Sequence, residues 1–581
     1  MKKLIALLLV LAMVIGLVAC GNANTDPTNP NAGKDEPTKD NTPSADVNEP
    51  EAGPFTPAKE KVEFTVGITM GTGVMADGVS TRMDNAYKTY LCETLNIDYS
   101  FYWEDKDALA TEQAIDLAII SEELPDMFEV NERQLRELIE ADLIWDMTEI
   151  YEQYASDELK ALYAEYGTLY GQDPLGRVTY DGKLMGIPNT SNGGVSLNGV
   201  WLRSDWLDEL GIEADPDGDK IITLDDLERV VQAFVDADPD NSGNPVGINM
   251  IPWIGLGHLI SPGLVNRVYG ARHLNFFQDS TGEVYYGTLG SKESPSYIKE
   301  ALTWWSEMYS KGLVDPDFIS TQWSDDSLGA KWASGQSGVA FASQSTGWLF
   351  GAAYNASDDA RFDFFALADP TGQVGGFQNN NETGYTLVVS KSFEHPELAV
   401  QICNIREKVT NDWALYQELC GQNGTPKGIG PFNHNNSPAN FDGKLYQYSM
   451  DYLEGKLTRE EIPAQFQTYI EVLDKYKADP NSLSANDRKS LDQVLEGCYV
   501  LNKLTIEGKL KDENTGIIYT PSDYSTTHAD KFTTELYPLE EEYIMKIIAG
   551  QKSVDDWDEF VELWHQYGGA QMLKEMNEAL N

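Results

Sequence analysis

Strands and helices are predicted to alternate along one stretch of the chain, and this alternation limits the possible folds more than any other feature. Residues 61–68 alternate in polarity and are rich in β-branched side chains, which predicts a strand. A helix over about 81–95, a strand over 97–103 and helices over about 108–121 and 135–141 are predicted next. This order favours an α/β fold with a largely parallel sheet, in which ligands bind beyond the carboxyl ends of the strands.

Residues 1–21 have the pattern of a secretion signal. Two lysines precede an apolar run from Leu4 to Ala19, and Cys20 and Gly21 follow. Residues 17–20, LVAC, resemble the bacterial lipobox, whose cysteine is lipidated and becomes the first mature residue. We therefore expect a signal peptide over 1–19 and a palmitate-bearing lipid anchor on Cys20. The alternative is an ordinary signal or an uncleaved helix with an incidental cysteine.

The tether and the length of the remaining chain set the domain count. Residues 20–60 contain hardly any large apolar side chains after the cysteine, which predicts a disordered tether. About 520 residues follow, more than one apolar core usually supports, so two or more lobes are expected. No later run of about 18 apolar residues occurs in the sequence. We expect a chain that is anchored to a membrane and does not cross it.

Charge and cysteine spacing exclude some partners. Lysine and arginine number 42 against 93 acidic residues, a formal net charge of -51, so nucleic acid is a poor partner. Cys92, Cys403, Cys420 and Cys498 show no zinc spacing. Cys403 and Cys420 are candidates for a disulfide, and separate buried thiols are the alternative.

Six segments carry a family resemblance, and they occur in the family's order. They are 124–128 (LPDMF), 180–188 (YDGKLMGIP), 200–211 (VWLRSDWLDELG), 309–318 (YSKGLVDPDF), 332–341 (WASGQSGVAF) and 547–560 (IIAGQKSVDDWDEF). Each resembles a motif of the family 1 extracellular solute-binding proteins, and the length resembles the large oligosaccharide-binding lipoproteins of carbohydrate ABC importers. The resemblance covers about residues 61–581.

The resemblance implies a type II-like periplasmic-binding-protein fold. In that fold, two α/β lobes joined by hinge strands enclose a ligand cleft. The implied division is lobe 1 over 61–195 and 384–455, and lobe 2 over 196–383 and 456–581. Crossings between the lobes are expected near 189–200, near 384–389 and within 440–500.

Tryptophans in predicted loops are the best candidates for sugar contacts. Sugars stack their C–H faces on aromatic rings and need amide or carboxylate partners for their hydroxyls. The loop candidates are Trp103, Trp253, Trp323 and Trp348. Other tryptophans lie at helical spacing among apolar residues and are expected in the core. These are Trp206, Trp304, Trp305, Trp557 and Trp564.

Polar candidates come from three places in the sequence. Glu129 and Asn131 follow the 124–126 turn, where the resemblance implies sugar contacts. Asn380 and Glu382 precede the expected second crossing, in a polar run that an exposed loop also explains. Arg203 either orients a ligand or forms a structural salt bridge.

Residues 236–244 resemble a calcium loop. Asp238, Asp240, Ser242 and Asn244 offer oxygen donors at alternate positions, and Gly243 stands at the sixth place. Late carboxylates are absent, since Val246 and Gly247 occupy those positions. A hydrogen-bonded turn explains the segment equally, so we expect no firm cofactor and keep calcium only as a weak candidate.

The expected function is capture of a sugar or oligosaccharide and its delivery to ABC permease subunits, by a monomer at the extracellular face of the cytoplasmic membrane. No catalytic motif such as GxSxG or HExxH occurs, so no enzyme activity is expected. The alternatives are a polysaccharide-acting surface enzyme, which needs only two facing carboxylates, and a ligand-binding partner of a membrane sensor.

Overall fold

A computed structural model describes most of the chain from Ala52 onward. The described residues are 52–68, 82–104, 108–170, 173–190, 195–255, 261–321, 325–379, 385–421, 426–434, 437–510, 521, 528 and 531–580. Residues from Ala52 onward form one compact unit. The predicted signal peptide, Cys20 and residues 21–51 of the tether lie outside the described residues.

The strands and helices alternate over much of the described chain. The strands are β1 (Val62–Ile68), β2 (Ile97–Glu104), β3 (Met127–Val130), β4 (Thr179–Tyr180), β5 (Lys183–Leu184), β6 (Ile187–Pro188), β7 (Val195–Arg203), β8 (Ile221–Ile222), β9 (Phe276–Gln278), β10 (Val284–Tyr286), β11 (Val339–Ser343), β12 (Phe362–Leu367), β13 (Phe377–Asn379) and β14 (Thr386–Val389). The α-helices up to residue 356 are α1 (Ala86–Leu95), α2 (Ala108–Ser121), α3 (Glu132–Glu140), α4 (Thr148–Tyr154), α5 (Asp157–Tyr170), α6 (Pro174–Arg177), α7 (Ser204–Leu210), α8 (Leu224–Ala237), α9 (Gly263–Val268), α10 (Ile298–Ser310), α11 (Asp325–Ala333) and α12 (Gly351–Ala356).

The part of the chain after β14 is helical where it is described. Its α-helices are α13 (Glu397–Asn411), α14 (Trp413–Cys420), α15 (Pro426–Ile429), α16 (Phe441–Leu453), α17 (Gln467–Ala478), α18 (Ala485–Asp492), α19 (Tyr499–Ile506), α20 (Tyr537–Ile548), α21 (Trp557–Trp564) and α22 (Ala570–Leu580). A π-helix over Gln493–Cys498 joins α18 to α19.

Five of the described strands form the first sheet, in the order β2-β1-β3-β14-β6. β1 is parallel to β2 and β3, as the sequence predicts, whereas β14 is antiparallel to β3 and β6. The predicted helix from residue 81 begins only at Ala86, because Asn85 is extended and caps it by accepting from the Lys88 amide. The helix predicted from residue 135 begins earlier, at Glu132, because Asn131 and Gln134 form a capping box.

The second sheet is centred on β7 and has the order β11-β7-β12-β8, with β13 also paired to β7. Arg203 ends β7 with its side chain only 1% exposed. Its guanidinium donates to Asp205 at 2.5 Å and to Asp240 at 3.1 Å, and it lies 4.6 Å from the Trp206 ring. Arg203 therefore forms the structural salt bridge that the sequence offers as one alternative, and a contact with a ligand stays a prediction.

Three apolar clusters are formed by the described residues. The first core draws on residues 62–187 and 387–432, and the second on 197–374 and 500–576. A smaller helical cluster lies within 445–498. Four of the five tryptophans expected in the core are buried in the second core, and Trp304 packs at its edge.

The described cysteines form no disulfide with one another. Cys92, Cys403, Cys420 and Cys498 are free thiols in the structure. Burial raises the pKa of the Cys403 and Cys420 thiols to about 12, which makes both unreactive at neutral pH.

Within the described ranges, none of the helices is both long and apolar enough to cross a membrane.

Candidate functional site

The carboxyl edge of the first sheet collects the ends of several strands. β2 ends at Glu104 and β3 at Val130, and β14 starts at this edge because Thr386 pairs with Val130. Thr386 also pairs with Pro188, the last residue of β6. Loops that leave this edge are where a parallel α/β sheet places its ligand.

A β-bulge sets the position of Trp103 at this edge. Val66 pairs with Phe101 but Gly67 pairs with Trp103, so Tyr102 is an extra residue in β2. The indole lies directly on Gly67, where a Cβ would approach its ring to 2.5 Å, so the sheet needs glycine there. Trp103 also packs edge-to-face against Phe128, with ring centroids 6.2 Å apart.

Trp103 is half-buried, and its indole N–H is unusual. Its Nε1 atom is buried, and no described residue accepts a hydrogen bond from it. Most buried N–H groups have a partner, because an unpaired one costs about 1–3 kcal/mol. An unpaired donor beside the carboxyl edge is a feature that a bound hydroxyl or water would satisfy.

Glu129 and Asn131 are held by protein contacts at the same edge. Glu129 is 1% exposed, and its Oε2 accepts from the Asn433 amide at 3.0 Å. The Asn131 side chain caps α3 and donates to Glu112 Oε1 at 3.0 Å. A ligand contact from either side chain stays a prediction.

Trp253 packs at the edge of the second core, whereas Trp103 packs against the first. The Trp253 indole covers Gly255, where a Cβ would approach it to 2.1 Å. Burial raises the pKa of Tyr537 above its ordinary value, the neighbouring Glu541 carboxylate raises it further, and Trp253 lowers it. Tyr537 in turn donates to Glu541 at 2.7 Å. The two tryptophans thus belong to different cores.

Four of the sequence candidates have side chains that the structure does not describe. Trp348 lies in a short 3-10 helix, Gly347–Phe350, which is separated by three residues from the end of β11, but its side chain is not described. Trp323, Asn380 and Glu382 lie outside the described residues.

In the candidate calcium loop, the carboxylate oxygens accept hydrogen bonds from other groups of the protein. The Asp238 carboxylate accepts from the Ser242 amide and hydroxyl and from the Gly243 amide, at 2.6–2.9 Å. The Asp240 carboxylate accepts from Arg203 and from Trp206 Nε1. This is the arrangement of a hydrogen-bonded turn, and calcium binding at this loop stays a prediction. Within the described part of the chain, no cluster of three His, Cys, Asp or Glu side chains suits a metal ion.

Two connections between the first and second cores are paired with each other at their described ends. The first leads from β6 into β7, and the second from β13 into β14. Near the first core the Asn189 amide donates to the Tyr385 carbonyl at 3.1 Å. Near the second core Leu197 pairs with Phe377. Backbone hydrogen bonds therefore join the two connections at both ends of the residues that are not described.

A third connection, residues 430–444, lies against the first. The Ser437 carbonyl accepts from the Thr190 hydroxyl at 3.0 Å and from the Tyr166 hydroxyl at 2.8 Å. Lys444 pairs with Glu165 at 2.5 Å. Neighbouring connections that are hydrogen-bonded in this way are typical of a hinge between two rigid bodies.

Buried charges hold the start of the third connection on the first core. Arg82 donates to the Gly430 carbonyl at 2.8 Å and to Asn433 Oδ1 at 2.6 Å, and Arg406 donates to the Phe432 carbonyl at 2.9 Å. Asn433 thus bonds both Arg82 and Glu129. The sequence alone does not indicate these arginines, because Arg82 and Gly430 are 348 residues apart and no local pattern links them.

Comparisons with known proteins agree with this architecture. No protein-family model matches the chain. The chain is similar to the lipoprotein LipO of Bacillus subtilis (strain 168), with 23% identity over 391 residues, which are 65% of this chain and 67% of LipO.

Solved structures resemble the protein over nearly its whole described length. One is an HMO-binding, ABC-transporter-associated solute-binding protein from Bifidobacterium longum infantis, with 13% identity and a TM-score of 0.57. Another is the alginate-binding protein AlgQ2, solved without calcium, with 15% identity and a TM-score of 0.53. Each match covers 90% of this chain and 99% of the other. At these identities the likeness concerns the fold: the protein has the two-lobed α/β fold of the extracellular solute-binding proteins, with hinge strands between the lobes.

Proposed function

We propose that the protein is a membrane-anchored, extracellular solute-binding protein that captures a sugar or oligosaccharide and delivers it to an ABC permease. The observation that carries the proposal is the hinge: two connections between the α/β cores are joined by backbone hydrogen bonds, and a third connection, which leads from the first core to the helical cluster, is hydrogen-bonded to the first. Such a hinge lets two lobes close on a solute that lies between them.

Sugar-like chemistry is supported by the tryptophans of the two cores. Trp103 at the carboxyl edge of the first sheet and Trp253 at the edge of the second core offer ring surfaces of the kind on which sugars stack. The unpaired Nε1–H of Trp103 lacks an acceptor such as a sugar hydroxyl supplies. Two solved proteins that resemble this chain in fold are named as HMO-binding and as alginate-binding.

One panel of oligosaccharides tests whether the protein binds a sugar without cleaving it. The full chain, purified in detergent, is incubated with alginate oligomers and with neutral fructo- and galacto-oligosaccharides, and both melting temperature and sugar products are followed. We expect one class to stabilise the protein, by about 2.7 kcal/mol at a concentration 100-fold above Kd, with every sugar recovered intact. A shortened sugar would instead identify the polysaccharide-acting enzyme.

The anchor is tested on Cys20 in cells. Replacing it (Cys20→Ser) removes the proposed lipid site, and two acyl chains are needed for stable membrane attachment. We expect the unchanged chain in the membrane fraction and the Cys20→Ser chain in the medium or in the soluble fraction. Cys92→Ser, which changes another thiol that is not fully buried, serves as the control and should stay with the membrane. Equal membrane association of the Cys20→Ser chain would remove the anchor from the proposal.

Measurements of sugar uptake by cells distinguish a permease partner from a membrane-sensor partner. Cells that lack the protein should lose uptake of the radiolabelled sugar that the panel selects if the partner is a permease. Undiminished uptake, together with a lost transcriptional response to that sugar, would favour the sensor alternative.

A further inference from the structure

Gln344 lies where three separate segments of the chain meet. It directly follows β11 and is 1% exposed. Its side-chain Oε1 accepts from the Leu197 amide at 2.7 Å, and its own backbone amide donates to the Leu197 carbonyl at 2.9 Å. Leu197 belongs to β7, so these bonds tie Gln344 to the strand of the second core into which the first connection leads.

The other end of the Gln344 side-chain amide reaches the third connection. Its Nε2 donates to Asp442 Oδ2 at 2.7 Å, across 98 residues. Asp442 lies in the first turn of α16 and is 8% exposed. One buried amide therefore bridges β7, where the first connection enters the second core, and the first turn of α16, where the third connection ends.

The backbone of Gln344 fits tightly against the π-helix after α18. A Cβ on Gly497 would lie 1.9 Å from the Gln344 carbonyl oxygen, so only glycine permits this approach. Gly347, three residues further, lies similarly close to α18, since a Cβ there would be 2.4 Å from the Lys489 carbonyl. The segment from Gln344 to Phe350, which contains Trp348, is thus held against the helical cluster.

We propose that Gln344 is a positioning residue that makes the Gln344–Phe350 segment move together with the first and third connections when the lobes close. The inference rests on the proposed function, because it concerns the hinge of that same binding site. The amide suits the role, since its acceptor faces a backbone donor of β7 and its donor faces a carboxylate of α16.

The test uses hydrogen exchange on the ligand-free full chain at pH 8. Gln344→Glu keeps the shape but sets a carboxylate against Asp442, so we expect exchange at Leu197 and in residues 343–350 to rise on the order of tenfold. Adding Asp442→Asn supplies a new donor to the introduced carboxylate and should restore exchange to within about twofold. Asp442→Asn alone should change little, because the asparagine oxygen still accepts from Gln344.

Asp451→Asn is the matched control. It removes a carboxylate from the same helix, where the Asp451 side chain bonds Gln447 and Lys456 and not the hinge. Unchanged exchange in Gln344→Glu, a rise spread evenly over the whole chain, or no rescue by the double change would each overturn the proposal.

A second readout separates this proposal from the function itself. For the sugar selected by the panel, Gln344→Glu should weaken binding about tenfold and the double variant should recover it. Hydrogen exchange is measured without ligand, so the exchange test remains valid even if no sugar of the panel binds. Failed exchange with intact binding would leave the proposed function standing.

Discussion

Replacing Trp103 with alanine is expected to weaken binding of the selected sugar at least about 30-fold, because a buried aromatic anchor contributes about 2 kcal/mol or more to an interface. The loss has two parts: the ring face on which the sugar stacks and the Nε1–H that lacks an acceptor in the described structure. Isothermal titration of the folded variant measures the change in Kd.

Two further variants separate binding from folding at this position. Trp103→Phe keeps an aromatic face but lacks the N–H, so a smaller loss of about three- to tenfold is expected. Trp145→Phe is the matched control: Trp145 is also half-buried beside the first sheet, but its Nε1 donates to the Phe393 carbonyl at 2.9 Å. Its amide bonds Val389, at the end of β14 away from the carboxyl edge. Equal affinity losses for Trp103→Ala and Trp145→Phe would contradict a direct role for Trp103.

Replacing Glu407 with glutamine is expected to stabilise the protein at pH 8 by up to about 3 kcal/mol and to have little effect at pH 4. Glu407 is 7% exposed in α13, and burial raises the pKa of its carboxyl to about 7 from an ordinary value of 4.5. Nearby Glu158 raises this pKa further, whereas the hydrogen bond from Asn411 and the charges of Arg406 and Lys444 lower it.

The sign of this pH dependence follows from the protonation state of the Glu407 carboxyl in the folded and the unfolded chain. Below pH 4.5 the carboxyl is protonated in both the folded and the unfolded chain. Between pH 4.5 and 7 only the unfolded chain ionises, so the free energy of unfolding falls as the pH rises. Glutamine is neutral throughout and does not show this fall.

The measurement is the difference in unfolding free energy between the unchanged chain and Glu407→Gln from pH 4 to pH 8. Taking the difference removes the pH dependence of other groups, including Asp492 and Glu496, whose pKa values burial also raises. Glu418→Gln removes the same charge from an exposed position in α14 and should give a flat difference. A flat profile for Glu407→Gln as well would show that its carboxyl is ionised at little cost.

Local patterns in the sequence predict the first sheet closely. The strand predicted over 61–68 is Val62–Ile68, and the helix predicted over 108–121 is Ala108–Ser121, because their apolar periodicity is strong. The start of α1 is wrong by five residues, since one hydrogen-bonded asparagine, Asn85, decides it. The antiparallel β14 joins this sheet from more than 250 residues away, which no local pattern reveals.

The candidate site is predicted less well for a related reason. Trp103 is predicted among the loop tryptophans, whereas the structure places it inside β2 near its carboxyl end, and the bulge at Tyr102 that positions it depends on the register with β1. The bonds that fix the third connection join residues hundreds of positions apart, such as Arg82 with Gly430. His273 and Glu540 form a buried pair in which Nδ1 and Oε1 lie 2.6 Å apart. The periodicity of the sequence does not predict this pair either. Such contacts follow from tertiary packing and not from neighbouring residues.

The measurement that tests the central claim most directly is small-angle X-ray scattering of the full chain, with and without a saturating concentration of the sugar that the panel selects. A hinged, two-lobed binding protein should close on its solute, so the radius of gyration should fall on binding and return when the sugar is dialysed away. Identical scattering with the sugar demonstrably bound, or a fall that coincides with cleavage of the sugar, would contradict the account.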